Sequence, residues 1–137
     1  MDPSVSRSME DYLETIHILD VEQGVVRVKD IADRMRISRA SVSGAMNHLE
    51  KQGLVSHPRY DRIVLTESGA DLAVSIYAKH RIIRHFLSEV LGLNDAVAER
   101  DACRIEHSIG PETFQSMKRF LSRQSKIKKR RKRSSAP

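Results

Sequence analysis

The stretch from Lys29 to Leu65 constrains this chain more than any other. Ile31 and Met35 repeat at helical spacing, Ile37-Ser38 interrupts the pattern, and Val42, Ala45, Met46 and Leu49 resume it on a second helix, Arg39 to Gln52, that Ser38 caps. Gly53 stops that helix. Leu54-Val55-Ser56-His57 and Arg62-Ile63-Val64-Leu65 then read as two strands around the turn Pro58-Arg59-Tyr60-Asp61. Two tightly joined helices followed by a hairpin make a winged helix-turn-helix, whose second helix enters the major groove of DNA. Its groove-facing positions begin Arg39, Ala40, Ser41, Ser43, Gly44, Asn47, small and polar enough for close approach. Ser41, Ser43 and Asn47 suit hydrogen bonds to bases or phosphates, and Arg39 suits either. Arg59, Tyr60 and Arg62 on the wing suit phosphate or minor-groove contacts.

Charge supports that reading once it is divided along the chain. The net charge is +6, but Lys126 to Arg133 places seven basic residues in eight positions, so the remainder sums to −1. From Arg27 to Arg62 eight Lys/Arg face four Asp/Glu, a basic segment in a nearly neutral body. The double-stranded DNA partner is therefore expected at this segment. The terminal run cannot collapse on itself, so it is expected to be disordered in isolation, to add phosphate contacts and to steepen salt dependence.

The flanking segments read as helices. Tyr12, Leu13, Ile16 and Leu19 give a stripe from Ser8, the expected N-cap, to Glu22, closed by Gly24. Thr66-Glu67-Ser68-Gly69 opens a helix carried to Leu91, Asn94 caps another through Ile109, and Pro111 opens the last. The expected fold is mainly α: a winged helix-turn-helix over 1–72, an α-helical metal-binding and dimerisation domain over 73–124, and a basic tail over 125–137. With 137 residues, 39% of them apolar and no tryptophan, the core is thin, and pairing with a second copy is expected to complete it. A single cysteine excludes a disulfide framework or a four-cysteine zinc site. No signal core or long uncharged run is present, so the protein is expected to be soluble and cytoplasmic, without a membrane partner.

The remaining chemistry lies in Cys103-Arg-Ile-Glu106-His107. A thiolate, a carboxylate and an imidazole at i, i+3 and i+4 share one helix face, and all three are good transition-metal ligands. Asp11 and Glu14 set two carboxylates one turn apart on the first helix. An ion gripped by both clusters would control how the DNA-reading unit is held. No signature of a substrate pocket or free general base is visible, so neither an enzyme nor an organic substrate is expected.

Ser8-Met-Glu-Asp-Tyr-Leu-Glu14, the Lys29-to-Val55 helices, Leu65-Thr-Glu-Ser-Gly69, Lys79-His-Arg81 and Asp101-Ala-Cys-Arg-Ile-Glu-His107 together resemble the diphtheria toxin repressor family of metal-dependent transcription regulators. The resemblance covers roughly residues 7–122 and is strongest for its short manganese transport regulator branch, which lacks the SH3-like domain of longer members. It implies metal ligation by Asp11, Glu14, His80, Cys103, Glu106 and His107. It also implies a homodimer on a palindromic operator that represses metal-uptake genes when the ion is plentiful.

Two departures bear on the ion. The manganese branch usually has glutamate where Cys103 stands, and iron-responsive members usually have methionine where Asp11 stands. Carboxylates suit Mn(II) and the thiolate draws toward Fe(II) or Zn(II); Mn(II) is expected first and Fe(II) second. At the ancillary site of iron-type members this chain offers Arg84, which cannot ligate, and Glu99, which can. The rival reading from residues alone is a metal-independent winged-helix regulator in which Cys103 and His107 only pack.

Overall fold

The computed structural model describes residues 5–58 and 61–134. The protein is mainly helical, with a winged helix-turn-helix followed by a helical unit, and contacts divide it between Tyr77 and Ala78.

In the first unit, α1 (Arg7–Gln23) begins two residues earlier than its apolar stripe suggests. Ser6, not Ser8, is the N-cap: its side chain accepts from the Met9 amide at 3.2 Å, while its carbonyl already takes the Glu10 amide at 2.9 Å. Both serines are competent caps, and the upstream one lengthens the helix by two residues. Gly24 closes α1 at φ 83°, a conformation that favours glycine.

Strand β1 (Val26–Arg27) leads into α2 (Val28–Met35), where the Asp30 carboxylate accepts from the Arg27 amide at 2.9 Å. Arg36, left-handed at φ 57°, turns the chain and Ser38 restarts it by accepting from the Ser41 amide at 3.1 Å. α3 (Arg39–Lys51) buries Val42, Ala45, Met46 and Leu49, the four positions its periodicity marked. Strands β2 (Val55–Ser56) and β3 (Arg62–Leu65) form the wing, pairing Val55 with Leu65 and Ser56 with Val64. β1 joins the other edge of β3, Val26 opposite Ile63, giving an antiparallel sheet ordered β1-β3-β2. Two residues are too few to carry the alternation that marks a strand in sequence. Arg59 and Tyr60 lie outside the described residues.

Leu13, Ile16, Ile31, Met46 and Leu49 are the largest enclosed side chains of this core. Each contributes about 1.5–3 kcal/mol through burial. Thr66 locks the wing to the start of α4 (Glu67–His85): its hydroxyl donates to the Gly53 carbonyl at 2.6 Å and accepts from the Gly69 amide at 3.1 Å, and its amide donates to the Leu54 carbonyl at 3.1 Å. The Leu54 carbonyl packs so closely over Gly69 that a Cβ there would overlap it.

The division between units falls inside α4 rather than at the expected 72/73 boundary, since no turn residue marks it. In the second unit α4 ends at His85 and passes into a wider π-helical turn, Phe86–Val90, instead of running regularly to Leu91. Gly92 follows at φ 72°. Asn94 caps α5 (Asp95–Ile105), accepting from the Val97 amide at 2.9 Å. α5 stops four residues short of the expected Ile109, because the chain turns at His107–Ser108 before Pro111 opens α6. α6 runs Pro111–Ser134, so residues 125–134 prolong a helix rather than forming the expected disordered tail. Lys and Arg are good helix formers and neither glycine nor proline interrupts them.

The second core is small: Ile83, Leu87, Ala98 and Ala102, backed by Leu93, Ile105, Phe114 and Met117. Phe86 meets Phe120 edge-on at 5.9 Å between centroids. No described helix is long and apolar enough to cross a membrane.

Candidate metal centre and nucleic-acid interface

The last turns of α5 decide where the chemistry sits. Its inward positions Ala98 and Ala102 are small and fully buried, so the helix packs closely and its next residues, Glu99 and Cys103, reach the neighbouring side chains of α4. His80 comes from α4, and Glu106 is the C-cap of α5 with His107 just beyond it.

His80, Glu106 and His107 are all buried, at 4%, 3% and 8% exposure. The Glu106 carboxylate lies between the two imidazoles: Oε2 is 3.2 Å from His80 Nδ1 and Oε1 is 3.3 Å from His107 Nε2. Ligand atoms of His80, Cys103 and Glu106 all fall within 4.8 Å of one another, although Cys103 is itself exposed. On the other side of the ring, His80 Nε2 is 2.9 Å from Glu99 Oε1, whose second oxygen lies 3.6 Å from Arg84 Nε.

The electrostatics follow from that crowding. Hydrogen bonding to Cys103 and to Glu106 pushes His80 up from 6.5 to about 11; burial opposes the rise, and Glu99 adds to it. Buried carboxylate, two imidazoles and a thiol form a donor set that fits a divalent transition ion: nitrogen and sulfur for its softer character, oxygen for its charge. The cluster also binds protons where an ion would bind, so the two compete.

Four of the six expected ligands, His80, Cys103, Glu106 and His107, are thus gathered within the second unit. Asp11, half-buried, and Glu14, buried, stand on α1 of the first unit, one turn apart as their spacing indicated. The sequence points Glu99 only to an ancillary site. Its position four residues before Cys103 put it on the same helix face, a signal that contact with His80 makes legible.

On the reading head, Arg39, Ser41 and Asn47 are exposed on α3 and Ser43 is partly so. Ser41 does two jobs. Its amide donates to Ser38 Oγ and its hydroxyl oxygen accepts from the Ser38 hydroxyl at 2.9 Å, which leaves its own proton to donate outward. Arg62 is exposed on β3, and Arg59 and Tyr60 remain expectations outside the described residues.

A winged reading head and a cluster of transition-metal donors in one chain define DNA-binding regulators that respond to a metal. Residues 4–63 match the description "Iron dependent repressor, N-terminal DNA binding domain", and residues 66–131 match "Iron dependent repressor, metal binding and dimerisation domain". The chain belongs to this family of metal-dependent transcriptional regulators, which are not catalysts.

An uncharacterised helix-turn-helix regulator of Methanocaldococcus jannaschii is 33% identical over 120 residues, 87% of this chain and 96% of that protein. The regulator MntR of Shouchella clausii is 34% identical over 102 residues, 74% of this chain and 71% of that one. Among solved structures, the manganese regulator SloR is similar with a TM-score of 0.73 at 31% identity, over 83% of this chain and 53% of that one. IdeR of T. acidophilum gives a TM-score of 0.73 at 30% identity, over 81% and 53%. The chain spans about half the length of these two solved relatives.

Proposed function

We propose that this protein is a metal-dependent repressor of metal-ion uptake genes, with Mn(II) as the favoured corepressor. The observation that carries the reading is the buried Glu106 carboxylate set between His80 and His107 with Cys103 at its edge, in a chain that also holds a winged helix-turn-helix. Asp11 and Glu14 complete the proposed ligand set, alongside His80, Cys103, Glu106 and His107. A divalent cation bound there adds positive charge among these carboxylates and favours the DNA-competent arrangement of the reading head.

The chain's own residues do the rest. Arg39, Ser41, Ser43 and Asn47 read the major groove of a palindromic operator, while Arg59, Tyr60 and Arg62 hold the wing on the backbone. Residues 73–124 pair two copies, which sets the two α3 helices at a separation of roughly 34 Å or a multiple of it. The exposed Phe120 and the small second core support pairing. Its place of work is then the cytoplasm, where the operator is. Similarity to MntR of Shouchella clausii and to the manganese regulator SloR supports Mn(II).

Fe(II) is the second reading, favoured by one observation: the Cys103 thiol lies among the ligand atoms, and sulfur draws toward softer ions than Mn(II). The test is operator binding at fixed salt against Mn(II), anaerobic Fe(II), Co(II) and Zn(II), with a chelator control. Metal-stimulated binding is expected for the parent and is expected to vanish in Glu106→Ala and His107→Ala while their dimers stay folded. Chelator-insensitive binding would instead favour a metal-independent regulator.

A further inference from the structure

We propose that Glu99 is a positioning residue for His80, holding its ring so that Nε2–H points outward and Nδ1 is offered to the ion. The inference rests on the metal-regulator reading and assigns a role to a carboxylate outside the proposed ligand set. His80 has a carboxylate on each side: Glu99 Oε1 at 2.9 Å from Nε2 and Glu106 Oε2 at 3.2 Å from Nδ1. Only the Nδ1 side faces the buried Glu106, which has 1% side-chain exposure against 55% for Glu99. A ring that gives one nitrogen to an ion keeps its proton on the other, and an acceptor on that second nitrogen fixes both tautomer and ring angle.

Arg84, one turn after His80 on the same helix, completes the arrangement. Its Nε lies 3.6 Å from Glu99 Oε2. The guanidinium faces the oxygen that Glu99 does not direct at His80, so a fixed positive charge stands where a further cation using that oxygen would have to sit. Glu99 is therefore directed toward the ring proton, as an outer carboxylate rather than a ligand. The Arg84 pair is half-exposed on both sides and contributes only weakly by itself.

The experiment uses the full chain with Mn(II) and, for a diamagnetic probe, Zn(II). Affinities are measured by chelator competition for the parent, Glu99→Ala, Glu99→Gln and Arg84→Gln, with circular dichroism to establish folding. The His80 tautomer in the Zn(II)-loaded protein is read from long-range proton–nitrogen NMR correlations, assigned with His80→Gln. The expected results are an Nε2–H tautomer in the parent and a loss of about 10–100-fold in Mn(II) affinity in Glu99→Ala. Glu99→Gln, which still accepts from Nε2–H, is expected to keep the tautomer and recover much of the affinity, and Arg84→Gln to change it by less than about threefold. Parent-like affinity in folded Glu99→Ala, or an Nδ1–H tautomer with the ion on Nε2, overturns the role of Glu99 alone. A parent that binds neither ion overturns the regulator reading with it.

Discussion

Proton counting offers the sharpest check on the metal centre. With His80 raised to about 11, the metal-free protein carries a full proton on this ring at pH 7. An ordinary histidine at 6.5 would carry about a quarter of one. Ion binding to Nδ1 must expel that proton, so His80 alone releases about one proton rather than about 0.2. Apparent affinity then rises about tenfold per pH unit, or about 1.4 kcal/mol, across the range below 11. Stability without metal runs the opposite way. The folded value is raised above the unfolded one, so the contribution is fully present below about 6.5 and is lost as pH climbs toward 11. Calorimetry of Mn(II) binding in buffers of different ionisation enthalpy measures the release. The imidazole C2 proton shift of the metal-free protein reports His80 directly. A ring that titrates near 6.5, together with release of only a fraction of a proton, would refute the reasoning.

Three further perturbations test other parts of the molecule. Gly69→Ala drives a Cβ into the Leu54 backbone carbonyl and should cost about 2–3 kcal/mol of stability in urea denaturation; a neutral result would mean the wing and α4 are less tightly joined than described. Ile83→Ala empties a fully buried position of a small core and should cost about 2–4 kcal/mol, seen as a lower Tm. Truncation before Lys126 removes seven basic residues, about half of which one side of a helix can present to phosphates. The slope of log affinity against log salt should then fall by about 3, and an unchanged slope would exclude the basic helix from the DNA contact.

Much of the fold was legible because its local signals agree with one another. Ser38, Gly53 and Asn94 are punctuation in both sequence and structure: a cap, a turn and a cap, each with its own chemical reason. Sequence and structure part where the local chemistry is degenerate. Ser6 and Ser8 are equally good caps, β1 is too short to alternate, and a helix passing into a wider turn at Phe86 keeps the same apolar spacing. Charge repulsion alone points to disorder in the basic run, yet its residues are strong helix formers continuing an established helix.

In the candidate site, the spacing from Cys103 to His107 was sufficient to mark a face. It did not reveal that Glu106 lies between two imidazoles, because the position of His80 depends on how α4 and α5 pack. Glu99 was visible as a possible acceptor, but its pairing with both His80 and Arg84 is a tertiary fact.

Ala98 and Ala102 have a consequence beyond filling space. They act as shims: two methyl groups set the gap across which short side chains such as Cys103 must reach toward His80. Thickening either shim pushes the donor atoms apart without altering one of them, so sensitivity to the ion is governed partly by residues that never touch it.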